Sequence, residues 1–118
     1  MSGKIQIVDR KDVEPVVLDD AHGPLAKVSK LIDRSHGSNR IQLFHSFVQQ
    51  GFAMDAQRMQ QDELVYVISG AAEVEFEGEK HRLGPGTAFF APAGAKFHYR
   101  TLATPHETIA IISPPDEA

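Results

Sequence analysis

The sequence of 118 residues contains no cysteine. Disulfide bonds, thiolate metal ligands and a cysteine nucleophile are therefore excluded. The chain also lacks any run that approaches the roughly 20 apolar residues of a membrane-spanning helix. Its first stretch, MSGKIQIVDRKDVEP, carries charges where a signal peptide needs apolar residues. These features predict a cytoplasmic protein.

Basic runs are absent as well. Lys and Arg together number 12 against 16 Asp and Glu, which gives a net charge of −4. A mildly acidic surface without a basic cluster argues against nucleic acid or an anionic membrane as the partner. The composition, 42% hydrophobic and 24% charged, is ordinary for a globular protein.

Helix signals are nearly absent too. Short apolar or alternating runs are separated by glycine, proline and polar turns, and this pattern is typical of an all-β sandwich or barrel. Glu77-Gly78 is predicted to form a tight hairpin turn, since glycine supplies the positive φ that such turns need. The expected strands are Pro24–Asp33, Arg40–Gln50, Glu63–Ser69, Ala71–Glu77, Lys80–Leu83, Thr87–Ala91, Lys96–Leu102 and His106–Ser113.

The chain length predicts a single domain over residues 1–118. The core barrel is expected at about residues 24–114, preceded by an N-terminal segment, residues 1–23. That segment contains the apolar stretches Ile5–Val8 and Val16–Leu18, which suit an edge strand or an arm on a partner subunit. The C-terminal residues Pro114–Ala118 are expected to fray.

Two frames of spaced glycine and proline occupy the middle of the chain. The first has the form G-x5-Q-x-M-x3-E-x6-G from Gly51 to Gly70, and the second has the form G-x5-P-x-G-x2-F-x3-T from Gly86 to Thr101. These frames resemble the two signature motifs of the cupin superfamily. The resemblance implies one antiparallel double-stranded β-helix, or jelly-roll barrel, of the small conserved-barrel type that is commonly dimeric.

The resemblance also indicates what this chain has lost. Cupins that bind metal place three histidines and one glutamate in these frames. Here the histidine positions hold Gln57, Met59 and Phe97, and only Glu63 remains. An amide and a thioether are poor replacements for imidazole toward iron, manganese or zinc. No metal or other cofactor is therefore predicted at the standard site.

Strand alternation predicts which side chains share the barrel interior, since every second side chain faces the same side of a sheet. A carboxylate among apolar side chains is expected to have a raised pKa, which suits a general acid or base near neutral pH. Glu63 or His45 is the predicted base and Tyr99 the proton donor, unless Glu63 is only a structural hydrogen-bond acceptor. The predicted ligand-binding residues are Gln57, Met59, Phe97 and Val65.

His45 is a third candidate catalytic residue. It alternates with the apolar Leu43 and Phe47 in an expected strand. If that set faces inward, His45 enters the barrel and can pair with Glu63 as a proton shuttle or ligand. The alternative is a core histidine with no role in chemistry. His106 and three other histidines fall on loops or strand ends and are predicted to be solvated.

Three functional hypotheses follow from these residues. The first is a barrel that binds a small metabolite and acts as a metal-independent isomerase or lyase through Glu63. The second is a barrel that binds a small ligand without converting it. The third retains a metal in a remodelled site made of His45, Gln57 and Glu63. A fold alone does not choose among them.

A homodimer is also predicted. Leu64, Tyr66 and Ile68 alternate with the interior positions, so they face outward and leave apolar sheet surface exposed. A partner subunit would cover this surface, and the N-terminal segment would supply an edge strand or arm.

Overall fold

The computed structural model describes residues 3–20, 23–49, 52–55 and 60–117. These ranges form an all-β structure with two single-turn 3-10 helices, Arg10–Asp12 and Arg34–His36, and none of their helices could span a membrane. The predicted all-β class is confirmed, while the cytoplasmic location stays a prediction. The strands are β1 (Val16–Asp20), β2 (Gly23–Ile32), β3 (Gln42–Val48), β4 (Ala53–Asp55), β5 (Asp62–Phe76), β6 (Glu79–Leu83), β7 (Ala88–Ala91) and β8 (His98–Ser113).

The two long strands, β5 and β8, give the barrel its two sheets. The first half of β5 pairs with the second half of β8, and the second half of β5 pairs with the first half of β8. The first sheet has the order β1-β2-β3-β8-β5-β7, and the second sheet has the order β4-β8-β5-β6. All of these pairs are antiparallel. The chain thus forms the predicted jelly-roll barrel.

The chain passes from one sheet to the other around Gly70. The register between β5 and β8 shifts repeatedly between Val67 and Ala72. Gly70 has a φ of 72°, and a Cβ placed on it would lie 2.4 Å from the carbonyl oxygen of Ala103 and 2.5 Å from that of Pro105. Glycine is required here because it accepts the left-handed conformation and leaves room for the backbone of β8.

Four of the predicted strands therefore merge into two. The segments Glu63–Ser69 and Ala71–Glu77 belong to one strand, β5, and the last two predicted strands are likewise one strand, β8. The prediction was wrong here because a bulge bends a strand without ending it. The hairpin turn at Glu77-Gly78 is confirmed, since it joins β5 to β6 and its residues have φ values of 52° and 77°.

The N-terminal segment places its two apolar stretches differently. Val16–Leu18 lies in β1, which pairs with β2 at the edge of the first sheet. Ile5–Val8 forms no strand, and Ile5 and Ile7 are 91% and 93% exposed. Val16–Leu18 therefore occupies the predicted edge position, while the stretch that contains Ile5 and Ile7 is an exposed apolar arm.

Residues 114–116 are held in place, contrary to the prediction that the C-terminal residues fray. Gln42, which is 1% exposed, accepts a hydrogen bond of 2.8 Å from the backbone amide of Asp116 through its side-chain oxygen. The Arg34 guanidinium donates a hydrogen bond of 3.1 Å to the Asp116 carbonyl oxygen, and Pro115 is buried. The chain as far as Asp116 is therefore part of the folded structure.

The hydrophobic core lies mainly beneath the second sheet. Its residues come from β5, β6, β7, the first part of β8 and the residue just before β8. The largest of them are aromatic. Phe97 and Tyr99 also border the barrel cavity, so this core supports the cavity wall. The core residues are Val67, Ala72, Val74, Leu83, Ala91, Phe97 and Tyr99.

Candidate functional site

A cavity of about 240 Å³ lies inside the barrel. Residues from both sheets surround it, and most of them are apolar. A largely apolar pocket with a few converging polar groups is typical of a small-molecule site. The apolar lining is Leu18, Ala26, Val28, Phe44, Val48, Phe52, Val65, Phe89, Phe97 and Ala110, and the polar lining is Ser46, Glu63, Tyr99 and Thr108.

Glu63 places a carboxyl group in this cavity. Its strand neighbours are Ala91 of β7 and Ile112 of β8, and it shares the inward face of β5 with Val65. Burial raises the pKa of Glu63, and no charge or hydrogen bond within the described residues offsets that effect. The protonated carboxyl therefore persists to higher pH than in water, which is the property expected of an acid or base that works near neutrality.

Tyr99 joins the cavity to a second buried group, His106. The Tyr99 hydroxyl is hydrogen-bonded to His106 Nε2, and His106 Nδ1 lies 3.1 Å from the carbonyl oxygen of Ser69. Burial raises the pKa of Tyr99, and the nearby charge of Glu63 raises it further. Burial lowers the pKa of His106, and the hydrogen bond to Ser69 only partly opposes this. Both members of the pair are therefore neutral at physiological pH.

His106 was missed as a site residue, and the prediction that it is solvated is wrong. It is 0% exposed, because it pairs with Val48 of β3 and faces the barrel interior in phase with Thr108 and Ala110. The alternation of His106, Thr108, Ala110 and Ile112 in the sequence was the available signal. Its place directly after Pro105 gave it the appearance of a strand end.

His45 lies on the other face of the sheet. Phe44 and Ser46 line the cavity, so the residue between them points away from it. His45 is 5% exposed, and its Nε2 lies 2.5 Å from Oε2 of Glu107. The condition for His45 to enter the barrel and pair with Glu63 is therefore not met, and its burial agrees with the alternative of a core histidine.

The outer face of β3 is contacted by the N-terminal segment. The guanidinium carbon of Arg10 lies 5.3 Å from the centre of the Phe47 ring, which places this side chain on the outer face of β3. The His45 and Phe47 rings meet edge to face at 4.7 Å. A strand covered on both faces carries apolar residues in both phases, and alternation alone then fails to identify the inner one.

Two of the four predicted ligand-binding residues, Gln57 and Met59, fall outside the described ranges. The other two, Val65 and Phe97, line the cavity. Phe97 is 3% exposed and packs edge to face on Phe89 at 5.1 Å, so this motif position contributes an apolar wall. No group of three or more His, Cys, Asp or Glu side chains within the described ranges could hold a metal. The metal implied by the motif resemblance does not fit this donor set.

Comparisons of sequence bear on the family of the chain. The family model described as "Cupin domain" (Cupin_2) matches residues 46–111, which is more than half of the 118 residues. A search of curated proteins finds no match.

Comparisons of structure support the fold. The polyketide cyclase RemF from Streptomyces resistomycificus has a TM-score of 0.78 and 22% identity, covering 96% of this chain and 81% of its own. KdgF from Halomonas sp. has a TM-score of 0.77 and 25% identity, covering 94% and 96% of the two chains. Ectoine synthase from P. lautus has a TM-score of 0.75 and 17% identity, covering 95% and 80%. Likeness at this level concerns the barrel and not the reaction.

Proposed function

Because the chain belongs to the cupin domain family, we propose that it binds a small metabolite inside its barrel. The observation that carries the proposal is the cavity that holds Glu63 and Tyr99 among apolar side chains. Pockets for drug-sized ligands occupy roughly 300–1,000 Å³, so a cavity of about 240 Å³ suits a smaller molecule. The two polar groups would orient a neutral or carbonyl-bearing ligand against the apolar wall.

The enzyme hypothesis assigns Glu63 to metal-independent proton transfer, as in an isomerase or a lyase. Its support is the buried carboxyl, whose raised pKa matches the requirement for an acid or base that works near neutral pH. The similar structures include a polyketide cyclase and an ectoine synthase, so barrels of this shape accommodate catalysis. In this hypothesis Glu63 takes a proton from a ligand carbon or oxygen and returns it at another position.

One observation favours the alternative of binding without conversion. The Tyr99 hydroxyl is hydrogen-bonded to His106, so the group assigned as proton donor already has a partner inside the protein. Glu63 is then the single acid or base in the described cavity lining that is not engaged by a neighbour. A site with one such group can bind and orient a ligand, while turnover would require that group to serve as both acid and base.

The hypothesis of a remodelled metal site loses one of its three donors. His45 faces away from the cavity and contacts Glu107, and Gln57 lies outside the described residues. Glu63 is left as the donor that the cavity supplies. We therefore derive no step through a metal.

The deciding experiment is a thermal-shift screen of a metabolite library against the wild type and Glu63→Gln, followed by turnover assays on each hit. We expect ligands that raise the melting temperature of the wild type and lose most of that effect in Glu63→Gln. Glu75→Gln is the matched control, because Glu75 belongs to the same strand but does not line the cavity. Ligands bound equally well by all three proteins would remove Glu63 from the site, and binding without turnover would favour the non-catalytic class.

We also propose that two copies of the chain associate through the outer face of the first sheet. Leu64, Tyr66 and Phe90 are 45%, 50% and 55% exposed, and Leu64 pairs directly with Phe90 across β5 and β7. The exposed arm that contains Ile5 and Ile7 supplies apolar side chains of its own. In a symmetric dimer each copy can offer both an arm and a sheet face, which removes two apolar surfaces from water at once.

Sedimentation measures this association directly. We expect a dimer at micromolar concentration for the wild type and a monomer for Tyr66→Lys, since a buried charge at the centre of an apolar interface is costly. Phe76→Lys is the control, because Phe76 is exposed at the far end of β5. A monomeric wild type, or a Tyr66→Lys variant that remains dimeric, would rule out this interface.

A further inference from the structure

Both ring nitrogens of His106 have a hydrogen-bond partner, one a backbone carbonyl oxygen and the other a hydroxyl. Its Nδ1 lies 3.1 Å from the carbonyl oxygen of Ser69, and a carbonyl oxygen can only accept a hydrogen bond. The hydrogen of a neutral imidazole is therefore on Nδ1, and Nε2 carries the lone pair. The partner of Nε2 is the Tyr99 hydroxyl, which must then be the donor.

This direction leaves the lone pairs of the Tyr99 oxygen free to accept a hydrogen bond. Tyr99 lines the cavity, while its hydrogen points at His106 and away from any ligand. The carbonyl of Ser69 precedes the bend at Gly70, where the backbone of β8 leaves no room for a Cβ. The tautomer of His106 is therefore set by the backbone of the barrel.

We propose that His106 is a positioning residue that turns Tyr99 into a hydrogen-bond acceptor, so that the cavity selects ligands with a hydroxyl or N–H donor at that point. The inference rests on the proposed binding function, since it names the ligand class of the same cavity. Glu63 can then meet a second polar group of the ligand. A molecule with a hydroxyl near a carbonyl satisfies both groups.

The tautomer is measured without any ligand. Nitrogen-15 NMR of histidine-labelled protein should show His106 as the neutral Nδ1–H form at about pH 7. His81, which is exposed, serves as the internal reference signal for the labelled histidines. A neutral Nε2–H form, or a charged His106 at that pH, would overturn the inference.

The selectivity is measured with phenol and anisole as probes, because they share one ring and differ in the donor hydrogen. The quantity compared is the ratio of the affinities for phenol and anisole. This ratio should be roughly three- to tenfold higher in the wild type than in Tyr99→Phe, which is the usual range for one net hydrogen bond. Tyr66→Phe removes the same hydroxyl on the outer face and should keep the wild-type ratio. His106→Phe frees the Tyr99 hydrogen, and the ratio should fall toward that of Tyr99→Phe.

The outcomes separate this inference from the proposed function. If both probes bind and the ratio is the same in the wild type and Tyr99→Phe, the acceptor role is refuted while binding in the barrel stands. If neither probe shifts the NMR signals of cavity residues, ligand selection by Tyr99 and the proposed binding function both fail. Should His106→Phe not fold, the Tyr99→Phe ratio and the His106 tautomer still decide the matter.

Discussion

Replacing Gly70 with alanine tests the close approach of β5 and β8 that connects the two sheets. The new Cβ would lie 2.4 Å from the Ala103 oxygen, 2.5 Å from the Pro105 oxygen and 2.7 Å from the Cα of His106. All three are backbone atoms, so relief requires a shift of the strand and not a change of rotamer. The substitution should therefore disturb both the barrel and the placement of His106.

The expected loss of stability has two parts. An L-residue in the left-handed conformation costs about 1–2 kcal/mol, and Gly70 has a φ of 72°. Forcing extra volume into a packed region costs about 1–3 kcal/mol more. The sum, about 2–5 kcal/mol, is a large share of the roughly 5–15 kcal/mol that holds a typical domain folded. At roughly 4 °C per kcal/mol for a chain of this size, the melting temperature should fall by about 8–20 °C.

Gly78→Ala provides the matched control. Gly78 has a φ of 77°, and a Cβ there meets nothing within 4 Å, so it carries the conformational cost of about 1–2 kcal/mol without the steric one. Urea unfolding and thermal melts give the free energy of unfolding of both variants. The difference between the two values isolates the steric contact with β8. Equal destabilisation of Gly70→Ala and Gly78→Ala would refute the steric argument. Loss of the Nδ1–H tautomer of His106 in Gly70→Ala would link the bend to the site.

Three further predictions concern Glu63, Gln42 and His45. A raised folded-state pKa of Glu63 means that its contribution to the free energy of unfolding is complete below about pH 4.3 and is lost as pH rises through the folded value. Glu63→Gln should therefore gain stability relative to the wild type as pH rises above about 4.3, and parallel melting curves would contradict this. Gln42→Ala removes the acceptor of the Asp116 amide and should cost about 1–3 kcal/mol, with faster hydrogen exchange at that amide; unchanged exchange would show that the contact is not needed. His45→Leu should lower the free energy of unfolding by about 1–3 kcal/mol, because Glu107 loses its hydrogen-bond partner, while probe binding in the cavity stays unchanged. Lost binding would return His45 to the site.

The barrel itself was predictable because its signals are local. Glycine and proline mark the turns, the strand runs alternate, and the spacing from Gly86 to Thr101 matches the second motif. Local signals also explain what was missed. A bend such as the one at Gly70 resembles a turn in sequence, since both need glycine, and the distinction depends on the distant residues Ala103 and Pro105.

The site was predictable only in part. The inward positions of Glu63, Val65, Phe97 and Tyr99 follow from strand phase, and all four line the cavity. The orientation of His45 did not follow, because His45 is buried on the outer face of β3 as well, a face that Arg10 of the N-terminal segment contacts at Phe47. His106 was hidden for a related reason, since the strand that contains it runs through Pro105 without ending.

Strands β5 and β8 each belong to both sheets, so they connect the two sheets by continuous backbone. Separating them would break ladder pairs in both long strands at the same time. A ligand would therefore enter past the strand ends, into a space whose described walls are held by both sheets. Selection then depends on size and on matching polar groups, and little of the binding free energy is lost to rearranging the host.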